Sequence, residues 1–562
     1  MNALRDGSFS HRPGLRVRVR AGIASVAIAC LTVAGFWWVA GPERRGWADI
    51  PTDSAATPQS AQALRRAMVA YSTYQGGREK ARQVVADDPE FAEARLQVLY
   101  IARFANSNRP VDAVELLHEV QLRRAQLTTR DRELLEAIEP ALLDPPQHDE
   151  TLARLERLSE KRPRDAQVWN AIALAHVAAR RTEKAIVAFR AERRADPGSL
   201  AGVANEAAAA YERGERGEAS RLLARCLATN AAHAPCLMEK GNIAAADGSC
   251  RELDDLGRSL YAASPGLKGK ALLSFRYSSL IHQGADQASL DGLRALMLSE
   301  LPEVWHHAID EADAVARHDL GLQLSRALQV SPADDDIAPT VDATIKARLL
   351  LEVGRTAEAL EVVSQALAAT ASAPSPSRPH LDATPRLWML QRESGVLSAE
   401  AHAAKRDAWV SSWRRRLGAR SEVQDALLWV IAWAPFETGT SELGVEAMQA
   451  WGNRPLPRAS LALASVMHGL PFLTDLGHLA MVGARLEDAE AILRQANALC
   501  TWNLIEPRVG LMLAQVQARR GQRSKACETL RAFFIEWNDL RPRSVSLERA
   551  RELADGLSCP SS

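Results

Sequence analysis

The feature that most constrains the fold of this 562-residue chain is a pattern that recurs every 34 residues. The first copy runs from Trp169 to Pro197 and has alanine where the two helices of a unit would cross. Small residues at the crossing points and proline at the repeat end are typical of stacked helix-turn-helix units. Each unit has an apolar face that it cannot bury alone, so neighbouring units stack into a solenoid. The matching positions are Trp169, Ala173, Ala185, Phe189 and Pro197, then Val203, Ala207, Ala219, Leu223 and Ala231, then Leu237, Gly241, Leu253, Gly257 and Pro265.

The first copy, WNAIALAHVAARRTEKAIVAFRAERRADP, resembles the tetratricopeptide repeat (TPR) family. The resemblance implies an all-α, TPR-like α-solenoid that holds other molecules. Apolar residues make up 47% of the chain, which is enough for a large helical core. Lys+Arg (69) equals Asp+Glu (69), and a net charge of zero argues against a nucleic-acid partner.

An uncharged stretch, residues 21–41, is long enough to cross a bilayer core of about 30 Å as one helix. Arginine is more frequent before this stretch than after it, which predicts a cytoplasmic N-terminus and an exported body. We therefore expect a single-pass signal anchor in a bacterial inner membrane, with residues 1–20 in the cytoplasm and the body in the periplasm. Cleavage of the anchor is left open, although residues 46–48 (GWA) make a poor cleavage site.

The exported body is predicted to form two helical lobes. Residues 42–60 read as a polar spacer, and residues 61–369 as an N-terminal TPR-like solenoid with Gly354 at a late turn. Residues 370–385 are rich in Ser, Ala and Pro and cannot continue a helix, so we expect a linker there. Residues 386–562 then read as a C-terminal TPR-like lobe.

The last part of the chain has a narrower resemblance. Residues 521–559 are similar to the extracytoplasmic repeat region that follows the membrane helix in many bacterial serine/threonine protein kinases. The chain lacks a glycine-rich phosphate loop, a VAIK-like lysine, HRD and DFG, so we expect no kinase activity. The resemblance implies a sensory part, or an accessory that pairs with a separate signalling kinase. The residues that carry it are Gly521, Ala526, Cys527, Trp537, Arg541, Pro542, Arg543, Ser544, Val545 and Ala550.

No motif in the sequence indicates catalysis, a cofactor or a metal. His307 and Glu311 are one helical turn apart, with His306, Asp310 and His318 nearby. HExxH is absent and no third ligand is evident, so we interpret this cluster as a solvated helix face. GxSxG, Walker loops and paired carboxylates are also missing. We expect a non-enzymatic protein, with a cell-envelope enzyme as the weaker alternative.

Tryptophan is concentrated between residues 388 and 451, where large side chains either fill a core or form a platform for a peptide or sugar. Two pairs are spaced by one helical turn, so the members of each pair share a face. We favour the core, because tryptophan buries a large area, and keep the platform as the alternative. The six residues are Trp388, Trp409, Trp413, Trp429, Trp433 and Trp451.

Six cysteines lie outside the membrane stretch, and an even count in an exported chain permits disulfides. An antiparallel turn could bring Cys226 to Cys236, and a returning helix could bring Cys559 to Cys527. Cys250 and Cys500 have competing claims, so the connectivity stays open.

The leading hypothesis is a scaffold or sensor that binds a protein or peptide in the concave groove lined by first helices. Trp169 is expected between helices, with Asn170 and Asn205 facing the groove. The carboxylate clamp of chaperone-binding TPR proteins is missing, which disfavours a C-terminal carboxylate as ligand. The expected groove residues are Gln167, Asn170, Leu174, Asn205, Met238, Glu239 and Asn242.

Overall fold

The structure is a computed structural model that describes residues 46–72, 77–105, 110–143, 147–178, 181–263, 272–300, 339–370, 382–417, 422–435, 441–468, 471–500, 507–537 and 544–560. Within these ranges the regular elements are helices, and no β-strand occurs. No described helix is both long and apolar enough to span a bilayer. The predicted anchor at 21–41 and the histidine cluster at 306–318 lie outside the described residues.

The N-terminal part is a run of helices with two short 3-10 turns, at Arg124–Gln126 and Glu139–Leu142. Its α-helices are α1 (Pro58–Ser72), α2 (Gly77–Asp87), α3 (Ala92–Ala105), α4 (Pro110–Leu122), α5 (Thr129–Ile138), α6 (His148–Lys161), α7 (Ala166–Ala178) and α8 (Thr182–Ala195).

The middle part continues the series of packed helix pairs and contains one π-helical turn, Leu272–Tyr277. Its α-helices are α9 (Ala201–Glu212), α10 (Arg216–Thr229), α11 (Ala234–Asp247), α12 (Cys250–Ala263), α13 (Ser278–His282), α14 (Gln287–Glu300), α15 (Pro339–Glu352) and α16 (Thr356–Thr370).

The C-terminal part follows the same pattern. Its α-helices are α17 (Thr384–Glu393), α18 (Ala399–Leu417), α19 (Glu422–Trp433), α20 (Ser441–Trp451), α21 (Arg458–His468), α22 (Phe472–Val482), α23 (Leu486–Ala498), α24 (Arg508–Arg519), α25 (Arg523–Trp537) and α26 (Val545–Gly556).

The helical pairs predicted from the 34-residue period are present. Two or three residues separate the helices of each pair, α7/α8, α9/α10 and α11/α12, and the two helices pack on each other. The small residues at the predicted crossings, Ala173 and Ala207, are fully buried. At the third crossing, a Cβ on Gly241 would overlap the ring of Phe275, so only glycine fits there. The all-α, TPR-like repeat fold is therefore supported by the packing of the helices themselves.

Helices before and after residues 370–385 share one apolar cluster. One apolar cluster contains buried residues of α9–α11, such as Tyr211, together with residues of α19–α24, such as Trp429 and Leu476. The described residues from 46 onward form one compact unit. Helix α16 ends at Thr370 and α17 begins at Thr384, and the end of one helix does not separate apolar cores when other helices pack across it.

Candidate binding surface

The predicted groove residues fall into two groups that differ in solvent exposure. Gln167, Asn170 and Glu239 are buried, with exposed fractions of 3%, 5% and 7%. Leu174 is half-buried and packs against the N-terminal apolar core. We expected Gln167, Asn170 and Glu239 to face the solvent in the groove, and their burial shows that this expectation is wrong.

Asn170 is a structural link rather than a free groove residue. Its Oδ1 accepts a hydrogen bond from the hydroxyl of Tyr100 (2.9 Å), and its Nδ2 donates to Glu192 Oε2 (3.0 Å). Trp169, which we expected between helices, is only half-buried and donates its indole N–H to the carbonyl of Pro163 (2.9 Å). Consecutive helical residues point about 100° apart, so an error of one position exchanges a surface residue for a buried one.

Three groove residues remain accessible. Asn205 on α9 and Asn242 on α11 are half-buried, and neither side chain makes a hydrogen bond to any residue that the structure describes. Met238, one turn before Asn242, is also half-buried and packs on a small apolar cluster. The amide groups of Asn205 and Asn242 therefore remain available for a ligand.

A buried polar seam joins α3, α5 and α7 beneath the surface. Arg130 forms a bidentate ion pair with Asp165 (2.8 and 2.9 Å) and a second pair with Asp131 (2.7 Å). Its Nη2 also donates to Gln167 Oε1 (2.8 Å), and Gln167 donates in turn to Gln97 (2.5 Å). In the sequence, the only sign of this seam is the adjacent pair Arg130 and Asp131 at the start of α5.

Residues 46–56, which we call the strap, precede α1 and lie against the N-terminal helices. Trp47 and Ile50 are each 3% exposed and belong to the N-terminal apolar core. The sequence predicted a spacer over residues 42–60, but the described part of that segment packs on the folded body. The two apolar side chains explain the difference, because leaving them in water would be unfavourable.

The Trp47 side chain fills an aromatic pocket. Its ring lies 5.6 Å from the ring of Tyr71 and 6.3 Å from that of Tyr100, both in edge-to-face arrangements. The indole N–H donates to Glu192 Oε1 (3.3 Å), and the main-chain N–H donates to Asp196 Oδ2 (3.1 Å). The pocket thus combines aromatic walls with a carboxylate that accepts from the indole nitrogen.

The other end of the strap is also held by carboxylates. The main-chain N–H of Ser54 donates to Glu93 Oε1 (3.3 Å), and that of Ala56 donates to Asp88 Oδ2 (2.9 Å). The Ser54 hydroxyl also donates to Glu93 and accepts from the N–H of Ala92, the first residue of α3. These acceptors recognise peptide N–H groups, which every residue except proline provides.

Burial raises the pKa of Glu192 to about 7, although the hydrogen bonds from Asn170 and Trp47 oppose the shift. The folded chain keeps a proton on this carboxyl that the unfolded chain releases above a pH of about 4.5. The contribution of Glu192 to the free energy of unfolding should therefore fall as the pH rises from about 4.5 to 7, and should be lost above pH 7. The buried His176, His233 and His402 act in the opposite direction, because burial lowers the pKa of each to about 4.

Glu192→Gln should remove the part of the pH dependence that Glu192 contributes, because the amide never ionises. Denaturant titrations of both proteins across this window provide the measurement. Glu528→Gln, at an exposed position of α25, is the matched control and should not alter the profile. If the free energy of unfolding changes with pH in the same way for the wild type and for Glu192→Gln, Glu192 has an ordinary pKa.

The structure contains three disulfides among the described residues. Cys226 is bonded to Cys236 and Cys527 to Cys559, with Cα atoms 6.5 and 5.4 Å apart; both pairs are ones that we considered from the sequence. Cys226, Cys236 and the buried His233 lie within metal-binding distance of one another. Because the two sulfurs are bonded to each other, only the imidazole is left as a ligand.

The third disulfide joins Cys250, the first residue of α12, to Cys500, which follows α23. The main-chain N–H of Cys500 also donates to the carbonyl of Ala245 (3.0 Å). Gly248 has a φ of +76°, and a Cβ there would come within 2.6 Å of the Ala498 carbonyl oxygen. Glycine is therefore required by both the turn and the close approach of α23.

The tryptophan-rich region belongs to the core, as we favoured. Five of its six tryptophans are buried, and Trp388 is half-buried against the same apolar cluster. Trp409 and Trp413 both donate their indole N–H groups to Asp382 Oδ2, at 2.7 and 3.0 Å. The side chains that would form an external platform are thus turned inward.

No protein-family model matches this chain, and no curated protein matches it either. Two solved structures with similarity to it are the human IFIT1 dimer with PPP-AAAA and Naa15/Naa10 bound to HypK-THB. The first is 13% identical over 87% of this chain and 89% of that chain, with a TM-score of 0.32. The second is 13% identical over 89% of this chain and 96% of that chain, with a TM-score of 0.21. Scores this low carry no conclusion about function, and the kinase-repeat resemblance gains no support from these comparisons.

Proposed function

We propose that this chain is a non-enzymatic, membrane-anchored and exported helical repeat protein that binds a protein or peptide. The observation that supports this best is the pair of asparagines, Asn205 and Asn242, whose amides have no partner within the described residues. They lie on the first helices of consecutive pairs, and such helices line the concave face of a solenoid. An amide can both donate to and accept from a peptide backbone, and Met238 offers an apolar contact beside them.

Export from the cytoplasm is supported by the cysteines. All six outside the predicted anchor are paired in disulfides. Disulfides persist in oxidising compartments such as the bacterial periplasm and are rare in the cytosol. This agrees with the orientation that the arginine distribution of residues 1–45 predicts.

A polypeptide partner fits this chain better than a nucleic acid. The net charge is zero, so the chain as a whole does not attract phosphate. The groups that hold the strap are mostly carboxylates, among them Asp88, Glu93 and Asp196. Carboxylates attract peptide N–H groups and repel a phosphate backbone.

The groove assignment is tested by an Asn205→Ala/Asn242→Ala chain used as bait for affinity capture from native membranes. We expect its partner recovery to fall at least about tenfold, since each lost hydrogen bond weakens binding by roughly 1 kcal/mol. The fold should remain, because these side chains make no hydrogen bond to any described residue. Asn497→Ala, at an exposed position of α23, is the matched control and should capture as wild type does. Equal recovery by the double variant would exclude this groove as the binding site.

The second candidate function is an accessory subunit of a serine/threonine-kinase-type signalling pathway. It rests on the resemblance carried by residues 521–559, within which Ser544 and Ser546 bond the buried Glu352 of α15. Recovery of a membrane kinase by the wild-type bait would favour this role over a general scaffold. Recovery of envelope proteins without a kinase would favour the scaffold.

A further inference from the structure

The strap lies on a surface that suits a peptide other than itself. Only Trp47 and Ile50 of the strap are buried, while Ala48, Asp49 and Asp53 are exposed. Its main-chain contacts to other parts of the chain go to side-chain carboxylates rather than to a helix or sheet ladder. Any peptide with N–H groups in these places could satisfy the same acceptors.

The charges of the strap do not match those of the surface. The carboxylates around it include Asp88, Glu93 and Asp196, and the strap itself carries two aspartates in a stretch without lysine or arginine. Among the described residues, its one hydrogen bond with a basic side chain is through Thr52, whose hydroxyl accepts from Arg65 (3.0 Å). Like charges close together are unfavourable, so a segment with basic residues would fit this surface better.

The pocket at one end selects a particular side chain. Tyr71 and Tyr100 form its aromatic walls, and Glu192 accepts from the indole nitrogen. Phenylalanine would fill the ring space but would leave that carboxylate without its indole donor. A pocket built this way distinguishes tryptophan from other large apolar residues, since an unmatched buried polar group is costly.

We propose that the strap is an internal pseudo-ligand covering a second binding site, one that takes a tryptophan-bearing, basic segment of another protein. The site is distinct from the Asn205/Asn242 groove. It is bounded by the Trp47 pocket at one end and by Glu93 and Asp88 at the other. A partner segment binds by displacing residues 46–56, with its own tryptophan replacing Trp47 against Tyr100 and Glu192.

Displacement has a mechanical consequence for the anchored protein. Released residues 46–57 could span at most about 40 Å, at roughly 3.4 Å per residue. They follow the predicted anchor at 21–41, so binding of the partner would lengthen the tether between the membrane and α1. Binding would then be coupled to the distance of the body from the membrane.

The test uses the full chain and a fluorescent peptide of residues 46–57, GWADIPTDSAAT, followed by fluorescence anisotropy. The wild-type chain should bind it weakly, because the strap occupies the site. The Trp47→Ala variant should bind the peptide at least about tenfold more tightly. In the wild type the apparent affinity is reduced by the small fraction of molecules whose site is open, and the variant raises that fraction. A peptide with Asp53→Lys should bind more tightly still and lose affinity as salt is added. A peptide with Trp47→Ala should not bind.

Two further chains keep the test decisive. Ser54→Ala weakens the Glu93 end of the strap while leaving Trp47 in place, and it should give an intermediate affinity even if Trp47→Ala does not fold. Trp388→Ala, which removes a half-buried tryptophan that packs on a different apolar cluster, should behave as wild type does. The decisive outcome is a Trp47→Ala or Ser54→Ala variant that keeps the circular-dichroism signal of its helices but binds the peptide no more tightly than wild type. In that case the strap is only structural and the proposal is wrong. Partner capture through Asn205 and Asn242 is measured separately. Failure of the peptide-binding test would therefore leave the proposed groove standing, and failure of partner capture would leave the strap proposal standing.

Discussion

Replacing Cys250 and Cys500 by alanine should lower the free energy of unfolding by about 5 kcal/mol. The two residues are 250 apart in sequence, and their disulfide closes the largest loop in the described part of the chain. In the chain-entropy model, a long closed loop restricts the unfolded ensemble most, so its removal is the most destabilising. Denaturant titration followed by circular dichroism measures the effect.

The matched control is Cys226→Ala/Cys236→Ala, whose disulfide closes a loop with a sequence separation of 10. The same model gives a loss of about 3 kcal/mol for that loop. Equal losses for the two double variants would show that loop size is not the cause. A smaller loss for the Cys250/Cys500 pair would show that the packing of α12 near α23 stands without the covalent link.

Arg130→Met should destabilise the fold by about 3–5 kcal/mol, because it leaves two buried carboxylates without their cation. Arg130 is 5% exposed, and Asp131 and Asp165 are 0% and 3% exposed. Methionine keeps much of the length and apolar character of the side chain, so the loss reports mainly the ion pairs. The free energy of unfolding from denaturant titration is the quantity to compare.

The control for this variant is Arg221→Met, which breaks an exposed ion pair with Glu218 on α10. Exposed pairs contribute little, so this change should stay within about 0.5 kcal/mol. A loss of similar size for both variants would mean that burial does not distinguish the Arg130 pairs. A neutral Arg130→Met would mean that water reaches the seam and solvates both aspartates.

The error at Asn170 shows the limit of reading a helix face from periodicity. The 34-residue period correctly placed α7 and α8 and the buried Ala173, because these depend on contacts between neighbours in sequence. It could not show that Tyr100, 70 residues away, lies against Asn170. A periodic pattern identifies which residues share a face, but the rest of the fold decides whether that face meets solvent.

The tryptophan-rich region was more predictable than the groove. Large aromatic side chains lose much by staying in water, so their burial follows from composition without knowledge of their neighbours. The role of Asp382, which accepts from both Trp409 and Trp413, could not be foreseen. Asp382 lies 27 and 31 residues before them and falls within the predicted linker.

The sequence by itself determined the helical class and the stacked pairs, and it suggested without deciding two cysteine pairs that the structure joins, Cys226–Cys236 and Cys527–Cys559. These features arise from local propensity and from contacts between adjacent helices, which leave a regular trace along the chain. Only the tertiary structure decided the Cys250–Cys500 disulfide, the single compact body and the docking of the strap. Such contacts join segments far apart in sequence, and their partners are set by the packing of helices that are not neighbours along the chain, which no local pattern encodes.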